Sequence, residues 1–187
     1  MQINYLLLTS FFGISEATLL LTRRSKNQAV KTRSDKNSLS ILWVSMIGSL
    51  TLGGALSGYG RYISPYHDLF FYVGLALVAM GFLIRWASII QLGKFFTVDV
   101  AITSSHFLKT DGLYKVVRHP SYLGLMLIIS GIALFQDKLL PLIVIVIPVF
   151  LALNYRIKVE EKVLTEAFGD QYIAYKRKAA RLIPGLY

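Results

Sequence analysis

The chain has 187 residues, of which 55% are hydrophobic and only 16% charged; it has no cysteine and a mean hydropathy of +0.56. A soluble domain carries about a quarter charged residues, so lipid is the implied solvent, and a disulfide framework, a thiol nucleophile and a thiolate metal site are all excluded. Three scattered histidines, His67, His106 and His119, make no zinc centre, and the net charge of +10 alternates with long apolar segments instead of lining one face, which argues against nucleic acid as a partner.

About 20 apolar residues cross a bilayer core. Five stretches meet or approach that length, at about 3–21, 39–58, 69–90, 122–135 and 139–155, followed by a tail over 156–187. The expectation is a single all-α integral membrane domain over 1–187 with five transmembrane helices. The first stretch lacks a small-residue cleavage site and reads as a retained helix, not a signal peptide. It carries Glu16. The loop after it, "RRSKNQAVKTRSDK", is polar and unpatterned and reads as a solvated connector.

The third stretch contains Arg85 in "FLIRWASII". A charge near a helix centre costs about 2.5–3.5 kcal/mol on insertion scales, so it turns to the bundle interior and has a task. Glu16 lies at comparable depth in the first stretch, about two turns from the same end; depth allows it to pair with Arg85 as a counter-ion and leaves the pairing open. Beyond the third stretch, residues 92–118 hold "LGKFFT", a Thr/Ser run and "HFLKTDGLYKVVRHP", in which "TDG" is turn chemistry. Pro120 suits a turn or a first helical position. The last two stretches, separated by "QDK", read as a tight helical hairpin in which Pro141 and Pro148 need neighbours for the freed carbonyls. Past residue 155, Val159, Val163, Leu164 and Ala167 share a face, the pattern breaks at Phe168-Gly169, and Tyr172, Ile173 and Tyr175 resume it, as in an amphipathic continuation.

Seventeen of the nineteen cations outside the spans fall on one side of this five-pass arrangement, with only Arg61 and Lys138 on the other. Positive charge marks the cytoplasmic side, so the N-terminus is expected outside and the C-terminus within, in the cell (inner) membrane. The same end collects Arg118 and His119 at the entry to the fourth stretch and Arg156 and Glu160, four apart and so on one helix face, at the exit of the fifth.

"GLYKVVRHPSYLG", the preceding "LGKFFT" and the downstream "RIKVEEKVLTEAFGDQYIAYKRKAARLIPGL" resemble the isoprenylcysteine carboxyl methyltransferase family, over about the last 100 residues from Arg85 onward. The resemblance extends to related membrane phospholipid methyltransferases. It implies S-adenosylmethionine as methyl donor, with a cytoplasmic pocket built from the loop before the fourth helix and from the C-terminal helix. The cofactor contacts it implies are His106, Leu108, Lys109, Tyr114, Arg118, His119, Pro120, Ser121, Tyr122, Arg156, Glu160 and Glu161. It further implies that Arg85 holds an acceptor carboxylate and is the catalytic residue, that no metal takes part, and that the partners are membrane lipids and a lipophilic acceptor entering from the bilayer. Asp99 departs from the amide common in eukaryotic members. The acceptor stays open between an isoprenylcysteine-like carboxylate, a phospholipid amine and a thiol. An NADPH-dependent sterol-type reductase and a non-catalytic scaffold are the competing classes.

Overall fold

The computed structural model describes residues 2–22, 33–63, 67–93, 96 and 108–185, and the side chains of all these except 2–4, 33–36 and 67–68. Among the described residues six α-helices follow in order: α1 (Gln2–Thr22), α2 (Arg33–Ala55), α3 (His67–Leu92), α4 (Pro120–Leu134), α5 (Leu139–Phe168) and α6 (Asp170–Lys178). All five expected apolar stretches are helical. Helix α2 begins six residues earlier than expected, taking in the polar end of the connector; residues 23–32 of that connector lie outside the described residues.

Lengths follow from hydropathy. Four helices, α1, α2, α3 and α5, are long and apolar enough to cross a membrane. Helix α4 has 15 residues, and at 1.5 Å per residue it reaches only about 22 Å, against a hydrocarbon core of about 30 Å. Its shortness is matched by its burial. Leu125, Ile128, Ile129 and Ile132 are at most 1% exposed, whereas the long helices present an apolar outer surface through Leu7, Phe11, Ile14, Val44, Leu83, Ile90 and Leu151. That surface is what a chain dissolved in lipid shows. The core lies between α4 and α5, where Ile145, Val149, Leu153 and Ile157 are fully buried.

Two glycine pairs set the approach of α3 to α4. A Cβ on Gly124 would lie 2.6 Å from the Gly81 carbonyl and 2.7 Å from the Arg85 amide nitrogen, and one on Gly131 would lie 2.6 Å from the Gly74 carbonyl. With the glycines seven positions apart on each helix, the antiparallel backbones touch at two levels two turns apart. Backbone contact of this kind replaces the hydrophobic drive that lipid does not supply. Its result is that Arg85, one turn beyond Gly81, is pressed against the start of α4.

At the opposite end the α4–α5 hairpin turns at Asp137, whose φ of 48° is left-handed, and Tyr62 and Lys138 form an isolated bridge. Pro141 falls in the first turn of α5, where amide hydrogens are unpaired anyway, while Pro148 lies inside the helix. Helix α5 runs on past residue 155 to Phe168, breaks at Gly169 with φ 51°, and hands over to α6. Tyr172 and Tyr175 turn inward on Leu108, Leu164 and Phe168. Ile173 and Ala167, placed on the buried face by periodicity, are exposed; for Ile173 the break at Gly169 resets the helical phase, while Ala167 lies in the last turn of α5 just before it.

Candidate active site

The chain positions its polar groups through the start of α4. Asp111 and Gly112 (φ 58°) open a 3-10 turn over Gly112–Lys115, as the "TDG" triplet implied. The Asp111 side chain takes Lys109 Nζ at 3.0 Å, and this bond holds its carboxyl below the ordinary range. The strand-like step that follows bonds to the tail: Arg118 N donates to the Ala180 carbonyl at 2.8 Å, and Ala180 N to Val116 at 3.0 Å. Pro120 then occupies the first position of α4, which puts His119 at the helix mouth.

His119 is 5% exposed. Its ring stacks on Tyr122, with centroids 5.7 Å apart, and its two nitrogens face different carboxylates. Nδ1 lies 3.9 Å from Glu160 Oε2, and Nε2 lies 3.4 Å from Glu161 Oε1. Adjacent residues on a helix point about 100° apart, and the two neighbours accordingly have different surroundings. Glu161 is saturated: Arg118 Nε donates to Oε1 at 3.0 Å and Arg181 Nη2 to Oε2 at 2.8 Å. Arg118 also donates to the carbonyls of Lys176 and Ala179. This clamp ties α4, α5 and the tail together.

Glu160 is the reverse. Its Oε2 is buried and has no hydrogen-bond partner, and both Glu160 and Arg156 lie close enough to act on the Tyr122 hydroxyl. Arg156 is 1% exposed and donates from Nη1 to Ser38 Oγ at 2.7 Å, which anchors α2. The Tyr172 hydroxyl, also buried and unpartnered, faces both carboxylates; burial first and then those charges push its pKa far up. Tyr114 is raised by burial and then by Glu160, and its hydroxyl donates to the Ser88 carbonyl at 3.3 Å. Tyr175, pushed up to about 12 by burial, donates to the Tyr114 carbonyl at 2.5 Å.

Deeper in the bundle, Arg85 and Glu16 pair as the shared depth allowed. Nε and Nη2 of Arg85 meet the two Glu16 oxygens at 2.6 Å each, and Nη1 donates to the carbonyl and hydroxyl of Ser121 at 3.1 and 3.0 Å. Four of the five guanidinium hydrogens are used.

His119, Tyr122, Arg156 and Glu160 therefore cluster where the start of α4 meets the end of the apolar part of α5. Leu108 packs on the Tyr172–Tyr175 cluster, and Lys109 is paired with Asp111. His106 and Asp99 lie outside the described residues. Ser38 and Tyr172 were not among the sequence candidates. A lone serine carries no signal, whereas Tyr172 stood in the "FGDQYIAY" stretch.

A protein-family model described as phospholipid methyltransferase matches residues 69–171, more than half of the chain. The chain belongs to the phospholipid methyltransferase family. The match takes in α3, α4, α5 and the site. Among curated family relatives, protein-S-isoprenylcysteine O-methyltransferase A of Arabidopsis thaliana is 32% identical over 113 residues, 59% of this chain and 57% of that protein. The Saccharomyces cerevisiae protein-S-isoprenylcysteine O-methyltransferase is 35% identical over 114 residues, 60% of this chain and 48% of that protein. The matched region thus spans about half the length of these relatives. A solved eukaryotic intramembrane Ras methyltransferase, isoprenylcysteine carboxyl methyltransferase, shares the fold with a TM-score of 0.66 at 24% identity, over 98% of this chain and 66% of that one. The membrane-helix architecture of the family is therefore that of this chain.

Proposed function

We propose that the chain is a membrane methyltransferase that uses S-adenosylmethionine and methylates the carboxylate of an isoprenylcysteine-like lipophilic acceptor. The observation that carries the reading is Glu160 Oε2, a buried carboxylate oxygen with nothing donating to it, set beside a buried arginine and a histidine at the mouth of the bundle. A group left this way costs about 1–3 kcal/mol, and such groups in native proteins have a reason. An ammonium fits it. S-adenosylmethionine would supply that ammonium together with an electrophilic methyl group on sulfur.

In this reading Glu160 holds the ammonium, Arg156 presents a planar fork to the amino-acid carboxylate, and His119, Tyr122 and the Tyr172 hydroxyl line the remaining polar contacts. Glu161 and Arg118 act by fixing His119 in place. The Arg85 hydrogen not used by Glu16 and Ser121 orients the acceptor carboxylate. Such a carboxylate is already ionised at neutral pH, so no general base is needed. The protein then contributes alignment and the exclusion of water. The basic side of the bundle faces the cytoplasm, where a water-soluble cofactor meets an acceptor held in the bilayer.

Calorimetry on the purified chain tests the cofactor assignment. S-adenosylhomocysteine is expected to bind and NADPH not to; binding of NADPH alone would make the protein a reductase.

A further inference from the structure

At the end of the bundle away from His119, α1, α2 and the α4–α5 turn enclose a cavity of about 600 Å³. Small-molecule sites hold roughly 300–1,000 Å³. Pro120 and Leu134, the two ends of α4, are about 22 Å apart, so this cavity is separate from the candidate active site and the inference does not depend on the proposed methyl transfer. Most of its wall is apolar, including Leu6, Leu50 and Phe135. Leu6 is 63% exposed, which places the opening on the lipid-facing side of α1.

One wall group is out of keeping with the rest. Gln136 is 7% exposed, and neither its Nε2 nor its Oε1 has a hydrogen-bond partner. Two of the other polar groups of the wall are already committed: the Tyr5 hydroxyl donates to the Leu50 carbonyl at 2.6 Å, and Thr9 Oγ1 donates to the Tyr5 carbonyl at 2.9 Å. Among the described residues no carboxylate lines the cavity, and the one cation that does, Lys138, lies 3.7 Å over the Tyr62 ring and 3.3 Å from the Gly60 carbonyl. An amide with both a donor and an acceptor to satisfy, at the rim of an apolar chamber, fits a ligand with a neutral group that gives and takes a hydrogen bond at the end of a hydrocarbon chain. A hydroxyl does both.

We propose that this cavity binds a membrane lipid through a glycerol-type hydroxyl, which donates to Gln136 Oε1 and accepts from Nε2 while an acyl chain lies along Leu6, Leu50 and Phe135. The hydroxyl can belong to a monoacylglycerol or to a phosphatidylglycerol headgroup, whose phosphate would meet Lys138.

The test is native mass spectrometry with thermal melting of the full chain in detergent, titrated with 1-oleoylglycerol and phosphatidylglycerol, and with methyl oleate and phosphatidylcholine as lipids without a free hydroxyl. Saturable binding of either hydroxyl lipid, with a rise in melting temperature, is expected, and at least tenfold weaker binding in Gln136→Leu. Loss of phosphatidylglycerol binding alone in Lys138→Gln assigns the headgroup source; indifference to that change assigns the neutral one. Ala55→Phe, which narrows the cavity without touching the amide, is expected to weaken binding as well and serves if Gln136→Leu does not fold. Equal binding of the hydroxyl-free lipids, unchanged binding in the variants, or no binding of either hydroxyl lipid overturns the proposal.

Discussion

Glu160 and Glu161 are neighbours in sequence with opposite surroundings, and each should fail in its own way. Glu160→Gln removes a charge that has no protein donor on Oε2, so the melting temperature is expected to hold. Affinity for S-adenosylhomocysteine should fall roughly ten- to hundredfold, the worth of a charged hydrogen bond of about 1.5–3 kcal/mol. Glu161→Gln strands Arg118 and Arg181; breaking a buried pair costs about 3–5 kcal/mol, and thermal melting should register it. The Glu16–Arg85 pair belongs to the same scale. Glu16→Gln and Arg85→Gln each leave a buried charge without its partner, so the double variant should lose much less stability than the two single losses added together; additive losses would mean that the pair is not coupled. The equal depth of this acid and base was legible from sequence, which left their pairing open; the bidentate contact decides it. The division between Glu160 and Glu161 was not. It depends on Arg181, 20 positions away, and on Ser38 holding Arg156 from 118 positions away, and no periodicity brings such groups together.

At the scale of elements, the glycine contacts of α3 and α4 carry Arg85 to Ser121. Gly124→Ala would push a methyl group against the Gly81 carbonyl and the Arg85 backbone, with an overpacking cost of about 1–3 kcal/mol. Methyl transfer should fall further than stability alone accounts for, since Arg85 shifts with its backbone; a variant of full activity would separate the helix contact from the site. The docking of α6 has a pH limit. The Tyr175 hydroxyl has an ordinary pKa of 10 raised to about 12, so its stabilising contribution is complete below pH 10 and is lost as pH climbs through 12. Proteolytic cleavage of the tail should therefore rise over that window, and Tyr175→Phe should flatten the rise. The helices themselves were readable as apolar runs, and the α4–α5 hairpin from the brevity of "QDK". The inward turn of α6 was only half readable, because the phase break at Gly169 moved Ile173 to the surface while keeping Tyr172 and Tyr175 inside.

For the whole molecule, the charge distribution and the oil content agree with the fold: long helices with apolar outer faces surround a short, buried α4, and the polar groups collect at one mouth. Under the proposed function, that placement gives the constrained stretch from Tyr114 to Gly124 its reason to stand at the threshold of an apolar helix, where a cofactor from water would meet an acceptor from lipid. The proposed reaction is transfer of a methyl group to a lipid-borne carboxylate. The most direct test supplies the purified chain in lipid vesicles with S-adenosylmethionine labelled in the methyl group, together with a farnesylated cysteine acid, its carboxamide, phosphatidylethanolamine and a long-chain thiol. Label should enter the acid alone, be released as methanol by mild base as an ester requires, and fall at least tenfold in Glu160→Gln. Label appearing in the amine or thiol but not in the acid, or in none of them although S-adenosylhomocysteine binds, would contradict the account.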